Sequence, residues 1–167
     1  MSQRKMIGLV VAPGVTEALA EKIMEDVPDI LSEQNENQYE WEIDLVVDPL
    51  TGYAENVEDI FSKVQEYHDE REWDYVLAIT DLPIFHQHRV MAVDINMKNG
   101  AAIFSYPAFG WRPVKKRFKS AILTIINEVH HAEQDHRDYD ENNNIEQSIK
   151  QQFPLSKIDK TQVYLEN

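Results

Sequence analysis

The chain predicts an α/β fold: a single domain with a mixed, mostly parallel sheet of four or five strands and flanking helices. Three observations carry that expectation. Apolar, β-branched runs alternate along the chain with stretches of helical period, the pattern of strands joined by crossover helices. The runs at 6–12 (MIGLVVA) and 74–80 (DYVLAIT) are nearly continuous rather than alternating, as in strands covered on both faces. A length of 167 residues suits one domain with a buried core.

The elements follow in order. The run at 6–12 is the first strand, closed by Pro13-Gly14. Thr16 is placed to cap the next helix, with Glu17 at its positive end. Val15, Leu19, Ile23, Val27, Ile30 and Leu31 form that helix's apolar stripe, and Pro28 should break it near Val27. Trp41, Ile43, Leu45 and Val47 alternate with Glu42, Asp44 and Val46, giving a second strand stopped by Asp48-Pro49. Asn56 caps a second helix whose inner face is Val57, Ile60, Phe61, Val64 and Tyr67 or His68. The run at 74–80 is the central strand. VMAVDI (90–95) and AAIFSY (101–106) are two more, linked through Asn99-Gly100 as a hairpin, one of them antiparallel at an edge. Pro113 opens a long helix with a stripe of Val114, Phe118, Ala121, Ile122, Ile125 and Val129. Asn144 and Gln147 mark a last short helix ending near Phe153, and QVYLE can add an edge strand. Residues 143–167 are peripheral to the single domain, 1–167.

Charge and composition narrow the function. Sixteen basic residues against thirty acidic ones leave a net charge of −14, which repels phosphate backbones, so no nucleic-acid partner is expected. The absence of cysteine removes disulfides, thiol nucleophiles and Cys-type zinc sites, and fits a reducing, cytoplasmic setting. The N-terminus reads as a strand rather than a signal peptide, and no apolar run reaches the roughly eighteen residues of a membrane span. A membrane association would come from a longer natural chain. No Gly-x-Gly-x-x-Gly, Walker or Gly-x-Ser-x-Gly motif is present.

Three constellations carry candidate chemistry. The first is NEVHHAEQDH, 127–136. A zinc-protease helix sets two histidines four apart on one face, with a glutamate beside the first to polarise the water. Here Asn127 takes the first position, Glu128 the glutamate's and His131 the second ligand's, with His136 nearby. The alternative is an exposed helix end where histidine meets the negative end of the helix dipole. The second is the loop TDLPIFHQHRV, leaving the carboxyl end of the central strand, where open α/β sheets bind ligands. Asp81 and Arg89 are ligand-binding candidates there, and His86 and His88 can hold a metal if the stretch is extended. The alternative is a surface loop in which Asp81 bonds its own backbone. The third is the basic cluster Arg112, Lys115, Lys116, Arg117 and Lys119 at a helix N-terminus, which the dipole disfavours. An acidic patch of the same chain can compensate it. So can a bound anion at Arg112 and Lys116, or weak contact with an anionic membrane through Phe109 and Trp111.

The segments WDYVLAITDLPIF, VMAVDI and GAAIFSYPAFG resemble a group of uncharacterised bacterial proteins. That group shares a Thr-Asp-Leu-Pro loop and a Ser-x-Pro-Ala-x-Gly turn, and some of its members carry membrane segments. The likeness covers about residues 6–126. The order of elements also resembles the N-terminal subdomain of metzincins, archaemetzincins especially. This implies that residues 114–137 match the zinc helix, with Glu128 on the catalytic glutamate and His131 on the second ligand. Asn127 and Arg137 stand where the other ligands belong, and Gln134 replaces the family's glycine. The helix is a degenerate zinc motif.

The functional expectation is a non-catalytic binding or regulatory domain without a cofactor, its ligand unspecified beyond a possible anion and its oligomeric state open. The alternative is a metal-dependent, metzincin-like hydrolase using zinc, with Glu128 catalytic and His131, His136, His86 and His88 as ligands. A third reading, a flavodoxin-like domain binding a nucleotide or flavin at the Asp81 loop, lacks the glycine-rich loop it would need. The Asp81–Arg89 loop and the start of the Pro113 helix should lie together, around Asp81, Arg89, Arg112 and Lys116.

Overall fold

The first apolar run becomes β1 (Gln3–Val11), and its last five residues are fully buried. It runs parallel to β2 (Tyr39–Val47) on one side and to β3 (Tyr75–Thr80) on the other. Every residue of β3 is buried, as its unbroken apolar sequence requires. β6 (Ala101–Ser105) continues the sheet parallel to β3, and β5 (Arg89–Asn96) is antiparallel to β6. These five strands are the ones expected. The three-residue β4 (Ile84–His86) pairs antiparallel with β5, and β7 (Thr161–Glu166) pairs with β5 in parallel, so β5 is not the edge the sequence suggested. The sheet thus has seven strands, ordered β2-β1-β3-β6-β5-β4 with β7 also on β5. This computed structural model describes residues 2–54, 56–86, 89–96, 100–109, 114–135 and 161–166. Pro113 and the expected helix at 144–153 lie outside the described residues.

Side-chain alternation along the strands makes two cores. On one face Ile7, Leu9, Tyr75, Leu77, Ile79 and Phe104 pack beneath three helices: α1 (Val15–Met24), α2 (Val27–Gln34) and α4 (Val114–Asp135). On the other, Val10, Val76, Ala78 and Ile103 meet Ile60 and Val64 of α3 (Val57–Arg71). Gly8 belongs to this second face, where an added Cβ would lie 1.8 Å from the Trp73 ring. Glycine therefore lets the indole lie flat on the strand.

Local chemistry explains the boundaries. The break between α1 and α2 falls at Glu25 and Asp26, with Pro28 in the first turn of α2, where a missing N–H costs little. Asn56 caps α3 as expected, accepting from the Asp59 N–H at 3.0 Å. Asp48 ends β2 by accepting from Leu50 N at 2.9 Å and from the Tyr67 hydroxyl at 2.8 Å. The Asp48 bond raises the Tyr67 pKa, because ionising the phenol would remove the donor.

Thr16 does not cap α1. Gly14, at φ +95°, takes the cap position, which a side chain would strain. Thr16 lies in the first turn, fully buried, donating its hydroxyl to Ala12 O. Among the described residues no helix is long and apolar enough to cross a membrane.

Candidate functional site

Residues 127–135, the described part of the stretch read as a zinc-helix likeness, form the C-terminal end of α4. The buried stripe of α4 is Phe118, Ala121, Ile122, Ile125, Ile126 and Val129, and it extends one residue further, to His130. His130 is 1% exposed, whereas His131, the ligand candidate, is exposed. The His130 Nδ1 lies 2.9 Å from the Tyr75 hydroxyl, which donates to it in the Nε2–H tautomer. Its ring stands edge-on to Tyr39 at 4.7 Å and Trp41 at 5.3 Å between centroids. Burial lowers its pKa to about 4, the nearby positive charges of Lys5 and His131 add to the shift, and Asp74 opposes it. The imidazole is therefore neutral near pH 7. The signal was in the sequence: steps of four from Ile122 through Ile126 arrive at His130.

Position 127, where a zinc helix begins its ligand set, joins two helices. Asn127 Oδ1 accepts from Asn35 Nδ2 at 3.1 Å, and its own amide donates to Gln34 Oε1. Asn35 Nδ2 also donates to the Leu31 carbonyl at 2.8 Å, closing the last turn of α2. Glu128 is half-buried beside a polar groove of about 290 Å3 shared with Gln34, Thr124 and Asn127. His88, His136 and Arg137 lie outside the described residues. His86 is placed on β4 by its backbone. Among the described residues no cluster of three or more metal-ligating side chains is present.

The Thr-Asp-Leu-Pro turn is set by threonine, not aspartate. Thr80 donates to the Thr51 carbonyl and accepts from the Leu82 N–H at 3.1 Å, setting the turn that the surface-loop alternative had assigned to Asp81 and its own backbone. Ser105 donates to the Leu82 carbonyl at 2.8 Å. Thr80 and Ser105 are register partners at the ends of parallel β3 and β6. The Asp81 turn and the turn leading toward α4 therefore leave the same end of the sheet. Asp81 and Lys116 are exposed there, Arg89 begins β5, and Arg112 lies outside the described residues. In the basic cluster, Lys119 is paired with Asp26 at the α1–α2 break, Arg117 is half-buried, and Lys115 is exposed.

A second concavity lies on the α3 face of the sheet. It is a pocket of about 200 Å3 between the first turn of α3 and the β3–β4 turn. Val57, Ile60, Leu82 and Ile84 form its walls, and Phe85, 60% exposed, stands at its rim. Asp94 of β5 also lines it, only 3% exposed. Alternation turns Asp94 away from Val93 and Ile95, which face the three-helix side. The sequence reading counted VMAVDI in the resemblance but gave Asp94 no site role, although an acid inside an apolar run is itself a signal.

A scan of protein-family models finds no match, and neither does a search of curated proteins. Among solved structures, the crystal structure of archaemetzincin from Methanopyrus kandleri matches with a TM-score of 0.55 at 14% identity. The match covers 72% of this chain and 69% of that one. The fold is thus metzincin-like, as the order of elements suggested.

Proposed function

We infer that this chain is a non-catalytic binding domain on a metzincin-like scaffold, in which the former metal helix serves packing. The observation that carries this reading is the engagement of Asn127 with Gln34 and Asn35 of α2. An amide at that position holds two helices together, and it is a poor zinc ligand. The next position of the motif, His131, is exposed. The histidine the helix does bury, His130, is neutral and bonded to Tyr75, in the manner of a core residue. Ligand binding belongs instead to the carboxyl end of the parallel strands, with Asp81, Arg89 and Lys116 as ligand-binding candidates and Arg112, outside the described residues, as the fourth the sequence offers.

The likeness to archaemetzincin favours one rival, a zinc hydrolase using Glu128 with His131, His136, His86 and His88. Peptide hydrolysis with added zinc, measured for the native chain and for Glu128→Gln, separates the two. The expected outcome is the same background rate for both proteins. Turnover by the native chain that disappears in Glu128→Gln would establish the hydrolase.

A further inference from the structure

We propose that the pocket between α3 and the β3–β4 turn binds a small organic cation, an ammonium group carried on a short apolar body. The proposal rests on the binding-domain reading above and adds to it a second site, distinct from the Asp81, Arg89, Arg112 and Lys116 candidates and from α4.

Position comes first. The pocket opens at the end of β3, a parallel strand flanked by two others, where strand ends leave a crevice in α/β sheets. The opposite face of the same strands is filled by α1, α2 and α4. Size comes second. About 200 Å3 is below the roughly 300–1,000 Å3 of drug-sized sites. It suits a small molecule rather than a nucleotide or flavin.

The chemistry of the lining then gives the sign. The walls are apolar at Val57, Ile60, Leu82 and Ile84. Two carboxylates complete the lining, Asp94 buried and Glu58 exposed at the mouth. None of the residues described as lining the pocket is a lysine, arginine or histidine. A carboxylate offers about four acceptor sites, so Asp94 can receive a ligand's N–H groups alongside any other donor it serves. In a site this enclosed a charge-assisted hydrogen bond is stronger than in water. Two other polar atoms of the lining are held by the fold. The Thr80 hydroxyl is held by Thr51 and Leu82, and Asn56 Oδ1 caps α3. Phe85 exposes an aromatic ring at the rim, a surface an ammonium or an apolar body can use.

Three probes of one shape test this on the 15N-labelled full chain: phenethylamine, its neutral analogue 2-phenylethanol and the anion phenylacetate. The expected result is saturable amide shifts at Val57, Leu82, Ile84 and Phe85 with phenethylamine in the millimolar range. The alcohol should bind about tenfold more weakly, and phenylacetate should give no saturation. Asp94→Asn should weaken the amine about tenfold and leave the alcohol unchanged. Ala54→Leu, which fills the mouth, should abolish binding of every probe. Equal binding of amine and alcohol overturns the proposal. So does amine binding that Asp94→Asn does not touch, or the absence of saturable shifts up to about 100 mM amine, well above that range. If Asp94→Asn fails to fold, the amine-to-alcohol ratio of the native chain and the Ala54→Leu block decide the question. None of these outcomes alters the peptidase test of Glu128, so failure here and failure of the binding-domain reading are distinguishable.

Discussion

The same strands present two faces to different surroundings. Beneath Ile7, Leu77 and Phe104 three helices close the core, and even the histidine on α4 is drawn into it. Beneath Val10, Val76 and Ile103 there is chiefly α3, and next to it a pocket with a buried carboxylate. Both faces are apolar by alternation, so hydrophobicity does not distinguish them. Chain direction does. The β1–β2 connection steps outward and the β2–β3 connection steps back across β1, so right-handed crossovers put their helices on opposite faces. The helix after β6 joins the first pair. The comparison teaches that the face under α1, α2 and α4 is closed by packing, while the face served by α3 keeps a pocket.

The largest effect expected from this contrast is on stability. Phe118→Ala removes a fully buried ring between Phe104 and Tyr106 and should cost about 3–5 kcal/mol. Ile60→Ala, at the pocket wall, should cost about 2 kcal/mol, because the space it leaves merges with an existing cavity. Urea denaturation measures both. Equal costs would mean that the α3 face is packed as tightly as the other.

A somewhat smaller effect concerns pH. The His130 pKa falls from 6.5 to about 4 on folding. Between those values the unfolded chain binds a proton that the folded chain refuses, so stability drops as pH falls through that window and levels off below it. The full loss is on the order of 3 kcal/mol. It should be absent from His130→Phe, as urea midpoints across pH 4–7 would reveal. A mutant with the native pH slope would mean that carboxylates, not His130, set the acid response.

Much of this contrast was legible beforehand. Continuous apolar runs marked β1 and β3, Pro28 marked the helix break, and Asn56 marked the start of α3, because each depends on chemistry within a few residues. The failures have a different character. Thr16 looks like a cap, but Gly14 supplies a backbone geometry that only the three-dimensional turn requires. Asp81 looks like the turn-former, yet Thr80 is directed inward by the pleat and reaches Leu82 first. His131 fits the zinc spacing, while the helix's orientation on the sheet buries its neighbour. Asp94 was given no site role because its place depends on α3 and the β3–β4 turn meeting above it. Local rules find elements; which residue of an adjacent pair faces inward is decided by docking.

The smallest effect is at the membrane. With Lys119 paired to Asp26, Lys115 and Lys116 are the exposed lysines of the cluster, each contributing about 1 kcal/mol at an anionic surface. Against them stands the net charge of −14, screened over about 8 Å at physiological salt. Co-sedimentation with anionic vesicles should be weak and lost at high salt. Tight binding in high salt, or residual binding unchanged when Lys115, Lys116 and Lys119 are all replaced by Glu, would contradict that electrostatic account.

The central proposal, that α4 serves packing and holds no zinc, is tested most directly by the zinc content of the purified chain. Elemental analysis should find far less than one zinc per chain, with the same value in His131→Ala. About one zinc per chain, lost in His131→Ala, would contradict it and return α4 to the metal.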